Sequence, residues 1–261
     1  MCCFSVQTPA GLIARWFPRK VHVSATNIFA RMTAPGAQAL AYGMNLETDQ
    51  EVAMVLPLPV VPGSGDDAVT FVDLSAHPRM FEQLSLLFDV PPPQSRSAND
   101  AMPRLAMQPT LVVHAIGSFV ASYVPTRADF TRLDPRFRLP EVLFDAVPHY
   151  HDYGFAVFQL ARGNVTVHPM AMTFPTRDPQ RLFFPTVHVH DGRWKAKAGF
   201  DHALYYQTPR RTQPGVDQLD GDNVSWLAPT ESFADLVVPK QAMVRRTLRG
   251  SLPNTDTWVA A

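Results

Sequence analysis

Apolar and polar positions alternate imperfectly through the first third of the chain. Val21 to Arg31, Gln38 to Leu46 and Val52 to Leu58 are rich in β-branched and aliphatic residues, and each reads as a strand. The Pro35-Gly36 turn and the polar run Glu47-Thr48-Asp49-Gln50 separate them, so an antiparallel meander is the simplest connection. Proline has no amide hydrogen to give a ladder, which places Pro57 and Pro59 at the end or edge of the third strand. The period changes at Asp73–Phe88. Leu74, Phe81, Leu84 and Leu87 recur at helical spacing, and Pro78 moves the start of the better helix to its own first turn.

Pro91 to Asp100 opens with three prolines, continues with small and polar residues, and reads as a linker or surface loop. Leu111–Ile116 and Phe119–Val124 predict strands broken at Gly117-Ser118, followed by short helices at Ala128–Leu133 and Pro140–Ala146. Strands resume at Phe155–Leu160, Val165–Phe174, Leu182–His190 and Ala203–Gln207, with Arg162-Gly163-Asn164 as a hairpin turn. After Arg210 the pattern is irregular except for a short helix near Lys240–Leu248. No repeat of fixed period is visible. The expected fold class is α+β and β-rich, with mostly antiparallel sheet and a few short helices. A single compact unit over 1–261 is expected. Two lobes, 1–90 and 110–261, joined by the proline-rich segment 91–109, are the alternative division.

Composition sharpens this picture. The 25 prolines among 261 residues are about twice the ordinary usage, and most stand where an element should end, as short strands require. With 46% hydrophobic and 10% aromatic residues the chain is not disordered. Its 23 basic and 23 acidic residues cancel, which argues against a dedicated nucleic-acid partner. No apolar stretch approaches the ~20 residues that cross a bilayer, so no membrane partner is expected. The start of the chain lacks the basic and apolar regions of a signal peptide, and adjacent Cys2 and Cys3 make no disulfide framework. A cytoplasmic protein is the expectation.

Candidate chemistry lies in the histidines. Six of nine fall between His149 and His202. In His188-Val189-His190 the i, i+2 spacing of a strand puts both imidazoles on one face. A third ligand from His149, His151, His168 or His202 would close a site for a divalent or soft transition metal, Zn or Cu above all. Asp152 and Asp191 follow the two His-x-His pairs closely enough to be ligands or orienting acceptors. The plain alternative is that these histidines are polar residues on solvent-facing strand sides. The second candidate is Cys2: removal of Met1 would leave its thiol beside a free α-amine, the arrangement of an N-terminal nucleophile, with Arg15 and Arg31 as available basic groups. Cys2 and Cys3 could equally be small buried apolar residues, or thiolate ligands if the fold carries the N-terminus to the histidines. No G-x-G-x-x-G, P-loop, G-x-S-x-G or H-E-x-x-H occurs.

Cys2-Cys3-Phe4, the strand ending Val55-Leu56-Pro57-Leu58-Pro59-Val60, the segment Val113 to Phe119 and the pattern Gly154 to Phe158 with His168 to Phe174 together resemble an uncharacterised bacterial domain-of-unknown-function family whose members are typically exported. The resemblance implies one β-rich unit over about residues 2–190 and carries no activity. The expected function is therefore metal binding, with or without catalysis, through His188, His190, His149, His151 and His168, and with a metal ion or small-molecule substrate as partner. The alternatives are an amide hydrolase with Cys2 as nucleophile and a non-catalytic binding module. Oligomeric state is not legible.

Overall fold

A computed structural model describes residues 2–5, 21–48, 51–89, 115–116, 119–139, 141–189, 194–208, 222–225 and 227–261. Fifteen strands are named among these residues: Cys2–Ser5 (β1), Val21–Ala34 (β2), Ala37–Thr48 (β3), Val52–Leu58 (β4), Thr70–Val72 (β5), Ala115–Ile116 (β6), Phe119–Val124 (β7), Gly154–Leu160 (β8), Gly163–Pro175 (β9), Arg181–Phe184 (β10), His188–Val189 (β11), Lys197–Gln207 (β12), Asp222–Ser225 (β13), Met243–Pro253 (β14) and Thr257–Ala260 (β15). Met80–Asp89 (α1) and Glu141–Ala146 (α2) are α-helical, and three short 3₁₀ turns lie between Arg127 and Tyr150. The protein is β-rich with few short helices, as its pattern predicts.

Two sheets carry the fold. One runs β11-β1-β4-β8-β7-β6, the other β13-β14-β12-β2-β3-β9-β5, and β10 pairs with β15 in a small ladder. Pairing is antiparallel except at β1–β11 and β12–β2. Each large sheet draws strands from both sides of residues 91–109.

The two-residue period of a strand decides what each face buries. On β3, Leu40, Tyr42, Met44 and Leu46 join Met54, Leu56 and Leu58 of β4 and Phe158 of β8 in the core between the sheets. The other face of β3, at Ala39 and Ala41, lies under Met80, Phe81 and Leu84 of α1 and its flank. The other face of β4, at Ala53 and Val55, packs with Phe130, Phe144 and Phe155. Both central strands are covered on both sides, so β4 reads as an unbroken apolar run. Each buried Leu or Phe in these layers contributes about 1.5–3 kcal/mol. Gly43 lets α1 come this close: a Cβ there would stand 2.7 Å from the Phe81 ring.

Several expectations need correction. Pro35-Gly36 does join β2 to β3, but β4 leaves for the other sheet, so there is no three-stranded meander. The turn at 162–164 likewise connects strands of different sheets instead of closing a hairpin. Pro57, by contrast, stands as expected near the end of β4, paired with Phe155 on one side and beyond the Ala53–Val55 stretch that β1 covers on the other. The expected strand Leu182–His190 breaks at 185–187 into β10 and β11. The region read as a helix near Lys240–Leu248 belongs largely to β14, where a ten-pair antiparallel ladder with β12 overrides local preference.

Candidate functional site

The described residues bring two histidines together, one from each sheet. His188 begins β11, and both sides of its backbone are held. Cys2 of β1 is its ladder partner on one side. On the other, the His188 amide donates to Asn254 Oδ1 at 2.7 Å, and Asn254 Nδ2 donates to the His188 and Lys195 carbonyls, each at 2.9 Å. Asn254 is buried and serves as a missing strand. Two residues on, Asp256 accepts the Thr186 and Val187 amides and the Tyr150 hydroxyl.

His202 comes from β12, whose Phe200, His202, Leu204 and Tyr206 share the inward face. It is 1% exposed. Its Nε2 lies 2.9 Å from His188 Nε2, and the Phe200 ring packs against both imidazoles. On the far side of the ring, His202 Nδ1 stands 3.6 Å from Asp201 Oδ1, beyond hydrogen-bond length, and it has no other partner among the described residues. Burial pushes the His202 pKa down, and the Asp201 carboxylate works against that shift. The His202 ring and the Ala25 amide hold the Asp201 carboxyl below its usual range.

That Ala25 amide donates to Asp201 Oδ2 at 2.6 Å. Ala25 has φ +51°, and the β2–β3 register shifts between Ser24 and Asn27, so the chain bulges beside His202. Thr26, within the bulge, is 1% exposed, and its hydroxyl has no partner among the described residues. Thr26, Asp201, His202, Arg245 and Arg249 line an open cavity of about 570 Å³.

The other sequence candidates have separate surroundings. His149 is exposed on the 3₁₀ turn Pro148–Tyr150 with its ring against Tyr150. His151 is exposed, with Nδ1 3.1 Å from the Pro148 carbonyl oxygen. His168 stacks on Phe119 at 4.6 Å. Asp152 is engaged by Arg177, which binds its carboxylate at 2.7 Å and holds its pKa down. Arg31 is turned to the Asp235 and Leu236 carbonyls. His190, Asp191 and Arg15 lie outside the described residues, as does the side chain of Cys2. Among the described residues no group of three or more His, Cys, Asp or Glu converges to hold a metal. From sequence alone His202 is one of four possible third ligands, and nothing there singles out Asp201, Asn254 or Thr26. The alternation Phe200, His202, Leu204, Tyr206 was the available signal that this histidine faces inward.

These features define a β protein of two packed sheets with a polar corner where the N-terminal strand, β11 and β12 meet. No protein-family model matches the chain, and no curated protein matches it. Among solved structures, that of baculovirus p35 matches at a TM-score of 0.50 and 12% identity, over 94% of this chain and 98% of p35. A mutated baculovirus p35 after caspase cleavage matches at 0.48 and 12% identity, over 91% of this chain and 100% of that one. The caspase-8/p35 complex matches at 0.44 and 13% identity, over 91% and 96%. At such identity the likeness speaks for the fold alone. No described helix is long and apolar enough to cross a membrane.

Proposed function

We propose that this chain is a non-catalytic binding protein that engages a protease of the caspase class. The supporting observation is the end-to-end likeness to p35: nearly the whole of each chain is covered, so the correspondence extends over the full scaffold and not one shared motif. Structures of p35 include one of a mutated form after caspase cleavage and one of its complex with caspase-8. The sequence adds a chemical argument. Caspases cut after aspartate. Residues 90–114, outside the described residues, contain one acidic residue: Asp100, in the run Ser95-Arg96-Ser97-Ala98-Asn99-Asp100-Ala101.

The test is incubation of the full chain with active caspase-8, reading hydrolysis of a reporter peptide and the intact mass of the chain. Loss of most reporter turnover in molar excess, with one cut after Asp100, is the expected result, and Asp100→Ala abolishes both. Unchanged turnover with an intact chain rejects the reading. Ordinary multi-site digestion without inhibition also rejects it.

A further inference from the structure

We infer that the cavity beside Asp201 binds a small hydroxylated oxyanion, a sugar phosphate or a sugar acid, with Arg245 and Arg249 on its anionic group and Asp201 and Thr26 on its hydroxyls. This site is independent of the caspase reading.

The register of β12 builds the site. Asp201, Ala203 and Tyr205 alternate with the inward residues of that strand, so they lie on the sheet face that α1 partly covers. Across the antiparallel ladder Arg249 is the partner of Asp201, Thr247 of Ala203 and Arg245 of Tyr205, which puts both arginines on the same face. The Arg245 guanidinium sits 4.5 Å from the centre of the Phe88 ring, which holds it against α1. Arg249 stands where opposite charges ordinarily pair across a ladder, yet it forms no ion pair among the described residues, and Asp201 Oδ2 takes the Ala25 amide instead. Burial keeps His202 neutral at pH 7, so two guanidinium groups in the lining face one carboxylate and an anion is favoured. The planar fork of arginine matches the oxygens of phosphate and carboxylate.

The same cavity asks its ligand for hydroxyls. A bare anion would be repelled by the Asp201 carboxylate, whereas a hydroxyl can donate to it. Asp201 Oδ1 is free to accept one, because the Ala25 amide is on Oδ2 and the His202 ring nitrogen stands 3.6 Å from Oδ1, beyond hydrogen-bond length. Thr26 also lines the cavity, is 1% exposed, and its hydroxyl has no partner among the described residues. Such a group is costly unless something bonds to it, and a ligand hydroxyl does so. The volume of about 570 Å³ suits a small molecule, for which pockets commonly measure about 300–1,000 Å³.

The test is calorimetric titration of the full chain, in phosphate-free buffer at low salt, with four probes: ribose 5-phosphate, gluconate, inorganic phosphate and ribose. One equivalent of ribose 5-phosphate or gluconate binds, about 10-fold or more tightly than inorganic phosphate or ribose, and the tighter of the two names the source of the anion. Arg249→Gln weakens that binding by about 10-fold or more, and Arg132→Gln, outside the cavity, leaves it unchanged. Asp201→Asn weakens the sugar anion and tightens inorganic phosphate, because a like charge is gone; an aspartate with a structural role alone would move both in the same direction. Circular dichroism confirms that each variant is folded. No saturable binding of either sugar anion leaves the cavity to water and overturns the site. Inorganic phosphate binding as tightly as the sugar anions, or undiminished binding in a folded Arg249→Gln, also overturns it.

Discussion

The protein buries two kinds of polar cluster, and they are satisfied to different degrees. Around β10, β11 and the C-terminal strand, buried amides stand in for backbone. Gln38, fully buried, donates to the Phe183 carbonyl at 2.8 Å and accepts the Phe183 amide at 2.9 Å. Asn254 does the same for His188. At the corner across the sheets, two equally buried atoms, His202 Nδ1 and Thr26 Oγ1, have no partner among the described residues. An unsatisfied buried polar group typically costs about 1–3 kcal/mol. The first cluster holds strands in register where no strand neighbour is available. The second accepts a penalty that a ligand or water would relieve, and this difference makes the corner the candidate site.

The contrast can be broken by substitution. The largest effect is expected for Gln38→Leu, which strands both the amide and the carbonyl of Phe183 in the core and should cost about 3–4 kcal/mol in urea unfolding. A cost below about 1 kcal/mol would mean that the amide is not a structural bridge. Asn254→Ala should follow at about 2–3 kcal/mol, because it frees the His188 amide and the His188 and Lys195 carbonyls. The same change should also disturb the His188 ring resonances in NMR spectra.

His202→Met sharpens the comparison from the other side. It removes the unpartnered Nδ1 but also the Nε2 that faces His188 Nε2 at 2.9 Å, while roughly conserving volume, so the protein should lose about 1–2 kcal/mol. A loss above about 3 kcal/mol would show that Nδ1 is satisfied as well, and the two clusters would then be alike. The smallest effect is expected at Asp152, whose carboxylate pairs with Arg177 but is 37% exposed. Arg177 lowers the Asp152 pKa from 3.8 in the folded state, so the pair's stabilisation is present above that value and is lost as pH falls through the lower folded value. Screening keeps the cost of Asp152→Asn under about 1 kcal/mol at neutral pH. Melting curves of wild type and variant should converge in strong acid, and a gap that persists there would assign the effect to packing.

Periodicity made β2, β3, β4 and α1 legible because their apolar spacing is local. The run Arg245-Arg246-Thr247-Leu248-Arg249 carries no such mark. It is a strand because β12 offers it a long antiparallel edge. The His-x-His spacing drew attention to His188. Its partner, however, is 14 residues away and belongs to the other sheet, so no spacing rule could select His202 over the other histidines.

By itself the sequence determined a β-rich fold, since alternation, turn residues and proline placement act over a few neighbouring positions. It also determined which residue types were available for chemistry. Tertiary structure alone decided that β4 leaves β3 for the other sheet, that Cys2 pairs with His188, and that Asp201 and a bulge at Thr26 frame His202. Those outcomes depend on which strand edges and apolar faces close on one another, and that is a property of the whole chain.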